Sequence, residues 1–352
     1  MRTLGDKRLT LRSARLLRDF AELPEITDDH SAALLRVFDA SPLLRWQLNQ
    51  ATRTGQFTAF EVLPEDAHAG GAYDGDTRTI SLPLRMLTPD GEPETTFVLG
   101  HELQHALGNW EGRLHIERFF GSAEFAAYAN FDYTPAIRGY LDWRRDEEAT
   151  ANLAGWNALV DWVERRIPGA GLDDVVLASR SRTGDFTDPH GFSFSVKPLL
   201  TLRPDLRFEL TPDNVAAMGV YYFDRPAADV HLGFLGTSDY RNQYGSWAVS
   251  QAASCHRYFT RHHRPEPIMI INASGLGLFR QTLEQNGIDL GGRAVQPYLD
   301  RSTDPAAVDY LHHTIETHQY VPTGIPLSAV HRNTSAFPAR RPSTQRRPDR
   351  GR

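Results

Sequence analysis

Along the first fifty residues apolar positions recur at helical spacing. Leu9, Leu11, Leu16, Leu17 and Phe20 stand among arginines, and Ala33, Leu34, Leu35, Val37, Phe38, Leu43, Leu44 and Trp46 follow with a similar period. Steps of three and four residues collect such side chains on one face, so helices are predicted over residues 8–22 and 30–50. The pattern then changes. Phe57, Phe60 and Val62 mark residues 56–63 as a strand. The glycine-rich stretch 70–76 reads as a turn. Residues 77–83 read as a second strand, and its closing proline favours an edge position.

A loop over 84–91 leads to Pro93, Glu94 and Thr95, which are helix-start residues. That helix is expected to reach about Leu107 and stop at Gly108. Another long helix is expected over 140–166, ended by Pro168-Gly169. The turn-rich stretch 169–189 suits a domain boundary. Beyond it come short β-like runs at 220–223 and 268–271, and a helix end at 281–286 capped by Gly287. From Arg332 the chain is Pro, Ser, Thr and Arg with almost no apolar residues, so no core can form there and disorder is expected. The reading is an α+β protein. It divides into a unit over 1–170, a mixed α/β unit over 185–333 whose role the pattern leaves open, and an Arg/Pro-rich tail over 334–352.

Composition narrows the picture little. The 352 residues are 40% hydrophobic and 23% charged, with net charge -6, as in an ordinary globular protein. No nucleic-acid partner is expected from that charge. The positive charge is almost all arginine, Lys7 and Lys197 excepted. The single cysteine, Cys255, allows no intrachain disulfide and sits in no nucleophile motif. No apolar run is long enough to span a membrane, and residues 1–20 are Arg-rich without the continuous apolar stretch of a signal peptide. The expected location is therefore cytoplasmic, or secreted by a route that reads no N-terminal signal.

The chemistry lies in His101-Glu102-Leu103-Gln104-His105. Residues four apart share a helix face, so both imidazoles can reach one zinc ion. Glu102, one residue on, stands beside the metal and can take a proton from the attacking water and return it to a leaving amine. Val98, Leu99, Leu103, Ala106 and Leu107 give the helix apolar surroundings, where two unpartnered histidines would be costly. The segment 97–108 resembles the active-site helix of the zincin metallopeptidases. The order of an edge strand, this helix and a second, acid-bearing helix covers roughly residues 55–166. The resemblance implies a zincin-like catalytic domain, bound Zn2+ and a protein or peptide substrate lying along the strand at 77–82.

A catalytic zinc takes three protein ligands. In the gluzincin branch the third is a Glu on a later helix, among small residues. The stretch 146–154 is similar to the second active-site helix of gluzincins and of small bacterial zincins of the ImmA/IrrE type, which implies Glu148. Asn152 stands where gluzincins often place an Asp that orients the first His. Glu147 adjoins Glu148 and would replace it if the register slipped by one. Glu111 is the rival at metzincin spacing, six residues after His105 across Gly108. His190, His231, Tyr240 and Tyr244 are candidates to stabilise an oxyanion, the two tyrosines in a loop-like run over 237–245. His256, His262, His263, His312, His313 and His318 match no structural zinc pattern and read as solvated.

The expected function is therefore peptide-bond hydrolysis, in a bacterial effector or toxin or in a regulatory protease. The alternatives are a catalytically weak zincin-fold binding module and a zinc-dependent amidase acting on a non-peptide bond.

Overall fold

Thr10, Thr27 and Ser41 each turn a hydroxyl back onto the backbone amide three residues ahead. These N-caps satisfy amides a helix start leaves open, and they begin α1 (Leu11–Ala21), α2 (Asp28–Ala40) and α3 (Pro42–Arg53). The apolar pattern over 30–50 thus covers two helices. Ser41 leaves helical geometry and Pro42 starts the next helix, where its missing N–H is harmless. This computed structural model describes residues 8–64, 70–232, 236–263, 267, 269–285, 296–300 and 308–311.

A small sheet follows, of β1 (Ala59–Val62), β2 (Ala72–Asp74) and β3 (Thr79–Leu82). Its order is β1–β3–β2, with β1 parallel and β2 antiparallel to β3. The strand expected at the edge is therefore central. Pro83 follows the last paired residue, Leu82, so its missing N–H costs the ladder nothing. The outer edge beside the His101–His105 segment belongs to β2, within a stretch read from the sequence as turn.

The helix expected to stop at Gly108 continues as α4 (Glu92–Ala129), 38 residues long. Gly108 does not take the left-handed conformation that ends helices. Packing against α5 (Thr134–Arg166) outweighs the ~1 kcal/mol that a glycine costs inside a helix. The two helices run antiparallel after a short turn. Phe119 meets Tyr140 near the turn, and Gly100 meets Gly155 and Ala158 at the far end.

The chain then forms α6 (Leu172–Ala178), α7 (Arg180–Thr183), the hairpin of β4 (Thr187–His190) and β5 (Ser193–Val196), and α8 (Pro212–Met218). The β-like run at 220–223 is a π-helical turn, Gly219–Phe223, continuing directly from α8. Val220-Tyr221-Tyr222-Phe223 is a continuous apolar run without alternation, and such a run does not separate strand from helix. Then come α9 (Ala227–Val230), α10 (Tyr240–Thr260), β6 (Met269–Ile271), α11 (Arg280–Gln285), β7 (Gln296–Asp300) and β8 (Val308–Leu311), the last three strands forming a sheet in the order β6–β7–β8. The tail, the expected cap Gly287, His312, His313 and His318 lie outside the described residues.

The α4–α5 pair is the spine of the molecule. Its α4 N-terminal half packs on the first sheet and α1–α3. The outer half packs on α10 and β6. The second half of α5 packs on α6, α8 and the segment between them. Side chains from both sides of residue 170 thus share cores. No described helix is long and apolar enough to cross a membrane.

Candidate metal centre

One helical turn separates His101 from His105 on α4, and both rings turn toward α5. Their Nε2 atoms are 2.9 Å apart. Glu148 of α5 brings Oε2 to 3.5 Å from His101 Nε2 and 3.9 Å from His105 Nε2. This approach depends on small residues. A Cβ on Gly100 would stand 3.0 Å from Gly155 Cα, and one on Gly155 would stand 2.8 Å from the Phe97 carbonyl oxygen. The helices therefore touch backbone to backbone at Gly100, the residue before His101.

The three side chains form a set of metal-competent donors within 4.8 Å of one another among the described residues. Two donors on a tetrahedral zinc with bonds of about 2.0–2.1 Å lie about 3.4 Å apart. The observed separations straddle that distance. Charge agrees as well. Glu102, Glu147 and Glu148 gather here beside one guanidinium, Arg144, an excess of carboxylates that suits a cation. The donor set, two imidazoles and a carboxylate, suits zinc.

Glu147 does not compete with Glu148 for the ligand position. Its Oε1 accepts the Nδ1 proton of His105, on the ring edge away from His101. That bond engages Nδ1 and leaves Nε2 as the ring nitrogen that faces the other donors. Burial by itself would lower the pKa of His105, but Glu147 and Glu148 outweigh it and push His105 up to about 9. Burial would raise both carboxyls. His105 and Arg144 overcome that and hold Glu147 and Glu148 low, His101 adding to the effect on Glu148.

Asn152, expected near the first histidine, instead donates from Nδ2 to the Met218 sulfur at 3.2 Å. The carboxylate that orients a histidine is Glu147, and the histidine is the second. Glu111 is not brought to the cluster. With α4 unbroken at Gly108, its carboxylate is 78% exposed and lies 3.9 Å from His115.

Glu102 faces the sheet. Its Oε2 accepts the Tyr73 backbone N–H at 2.8 Å, a donor that the edge strand β2 turns away from β3. Gly71 packs on the same helix face, where a Cβ would meet Val98 at 2.6 Å and Glu102 Cγ at 3.5 Å.

Tyrosines close the opposite side. Tyr240 and Tyr244 lie in the first turns of α10, capped by Asp239, where the sequence suggested loop. The Tyr244 hydroxyl donates to Glu148 Oε1, and the Tyr240 hydroxyl pairs with that of Tyr222. The Tyr222 ring packs edge-on to His101 with centroids 6.0 Å apart. Burial, with the nearby Glu148 charge adding to it, raises the hydroxyl pKa of Tyr222, Tyr240 and Tyr244. Of the oxyanion candidates, Tyr240 and Tyr244 are thus brought to the site. His190 sits exposed at the β4–β5 turn, and His231 caps α9 in the left-handed region.

Tyr222 and Arg144 escaped the sequence reading, Tyr222 because its segment looked like a strand. Arg144 left a trace, since it precedes Glu147 by three residues, the spacing at which helical side chains pair. His256 is not solvated. It is fully buried, between the Tyr133 hydroxyl at 3.0 Å and the Pro267 carbonyl at 3.1 Å.

No protein-family model, curated protein or solved structure matches this chain.

Proposed function

We propose that this protein is a zinc-dependent metallopeptidase with a zincin-like catalytic unit, hydrolysing peptide bonds. The observation that carries the reading is the convergence of His101, His105 and Glu148 donor atoms beside a fourth group, Glu102, on the same helix. A zinc ion there would supply a Lewis acid and lower the pKa of a water to about 7. His101, His105 and Glu148 would hold it. Glu102 takes the proton of the attacking water and passes it to the leaving amine. The Tyr73 amide keeps the Glu102 carboxylate aimed at the site. The Tyr240 and Tyr222 hydroxyls stay protonated and pair with each other, which leaves one O–H of the pair to donate to an oxyanion. An extended substrate would lie beside β2 and not along the central β3, with the outward amide of β2, that of Tyr73, held by Glu102.

The test has two stages. Wild-type protein, His101→Ala and Glu148→Ala are compared for bound metal by elemental mass spectrometry. About one zinc per wild-type chain, lost in both variants, is the expected result. Glu102→Gln is then expected to keep its zinc and lose peptide cleavage by about a hundred- to ten-thousandfold, read on a mixed peptide library. A folded wild-type protein that takes up no zinc when supplied with it would refute the reading. Zinc uptake with full activity in Glu102→Gln would remove Glu102 from the mechanism.

A further inference from the structure

Behind the three candidate ligands, side chains from three helices form a continuous path. It starts at His105 on α4, whose Nδ1 proton goes to Glu147 Oε1 on α5. Glu147 Oε2 in turn accepts from Arg144 Nη1 at 2.9 Å. The Arg144 guanidinium lies over the ring of Tyr244 on α10, 4.0 Å from its centroid, and 5.1 Å from the centroid of the Trp143 ring. The Tyr244 hydroxyl returns to Glu148 Oε1. The path therefore leaves one ligand and arrives at another without touching the metal position.

We infer that Arg144 is a positioning residue for the metal centre, holding Glu147 on His105 and Tyr244 on Glu148 at the same time. The inference rests on reading His101, His105 and Glu148 as metal ligands.

Three features support this role. The guanidinium is planar, so one face can stack on Tyr244 while its edge bonds the Glu147 carboxylate; a lysine ammonium cannot do both. Its charge also separates two neighbouring carboxylates, Glu147 and Glu148, that would otherwise repel inside the protein. Finally, Arg144 is held in place to act this way: its side chain is only 15% exposed and is fixed between the Glu147 carboxylate and the Tyr244 ring. The arrangement also makes the site depend on α10. Tyr244 lies 96 positions from Glu148 in sequence, so the later part of the chain completes the shell around ligands supplied by the earlier part.

The test is metal affinity, measured on the full chain by competition with a chromophoric chelator, together with the visible spectrum of the Co2+-substituted protein. Arg144→Met is expected to weaken zinc binding by about ten- to a hundredfold and to change the Co2+ ligand-field bands. Glu147→Gln should act in the same direction. The double variant should be weaker than wild type by less than the product of the two separate effects, because both act on one path. Arg144→Lys, which keeps the charge and is the safer fold, should restore only part of the affinity.

A structural role alone would lower the unfolding midpoint of these variants and leave the Co2+ spectrum unchanged. If wild type binds one zinc and both Arg144→Lys and Arg144→Met match its affinity and spectrum, the inference fails while the ligand assignment stands. Should Arg144→Met not fold, unchanged affinity and spectrum in Arg144→Lys and Glu147→Gln together overturn it. If folded wild type binds no zinc, the ligand assignment and this inference fall together.

Discussion

Gly100 and Gly155 face each other where α4 crosses α5, with no room for a side chain on either. A Cβ on Gly100 would lie 2.8 Å from Ala158 Cβ as well as 3.0 Å from Gly155 Cα. The crossing lies beside His101 and about two turns along α5 from Glu148, so it governs how closely the two can approach. Gly155→Ala is therefore expected to cost ~1–3 kcal/mol through overpacking against Phe97, and to weaken zinc uptake with no ligand altered. Gly108→Ala is the control. It meets nothing within 4 Å and should be neutral or stabilising by up to ~1 kcal/mol. Urea unfolding midpoints of the two variants decide the matter; equal midpoints would contradict the packing argument.

The hydrogen bond from the Tyr73 amide to Glu102 gives a local readout. Tyr73 N–H faces away from β3, so Glu102 is its acceptor. Wild type and Glu102→Gln should both protect this amide from hydrogen exchange, since a glutamine oxygen still accepts. Glu102→Ala should expose it, speeding exchange at Tyr73 well beyond that at Ile80 on the central strand. Uniform protection in all three proteins would show that another group holds the amide.

Asp161 ties α5 to the first helical layer. Its Oδ2 accepts from Ser41 Oγ at 3.0 Å and the Leu43 amide at 2.8 Å, and its Oδ1 accepts from Arg207 Nη2 at 2.5 Å. The carboxylate is buried, and three donors lose their acceptor when it goes. Asp161→Ala is expected to destabilise by about 3 kcal/mol. Asp161→Asn, which keeps an acceptor for Ser41 or Leu43, should cost less. Chemical denaturation separates the two, and a loss below about 0.5 kcal/mol for Asp161→Ala would refute the assignment.

Cys255 is expected to be a sluggish thiol. Burial raises its pKa to about 11, and the nearby Glu124 carboxylate adds to the shift. The reactive species is the thiolate, and a raised pKa means the thiolate appears only as pH climbs toward that value. Alkylation by iodoacetamide should rise about tenfold per pH unit from pH 7 to 9 without levelling off. A plateau near pH 8.5 would mean an ordinary exposed thiol.

Local patterns were legible where local forces decide. The apolar period over 8–22, the start of α4 at Pro93 and the strands at 59–62 and 79–82 follow from propensity, capping and alternation. His101, Glu102 and His105 were readable because four residues make one turn, whatever the helix packs on. Glu148 was readable through resemblance and through the small residues that accompany it. Misreadings arose where packing overruled a local signal. Gly108 lay in a helix held by its neighbour, the 220–223 run continued α8, and Pro83 fell just beyond a central strand.

By itself, then, the sequence determined that His101 and His105 share a face of one helix, and that Glu147 and Glu148 stand side by side on another, about 100° apart around its axis. Tertiary structure alone decided what each of them meets. That Glu147 turns to His105 Nδ1 while Glu148 faces both Nε2 atoms depends on the rotation of α5 against α4. That Tyr73 holds Glu102 and Tyr244 holds Glu148 depends on a sheet edge and a helix distant in the chain. Helical period is an intrinsic backbone property and survives in any context. The choice between two adjacent carboxylates is a matter of a single residue's rotation about a helix axis, about 100°, and only the packed core fixes that angle.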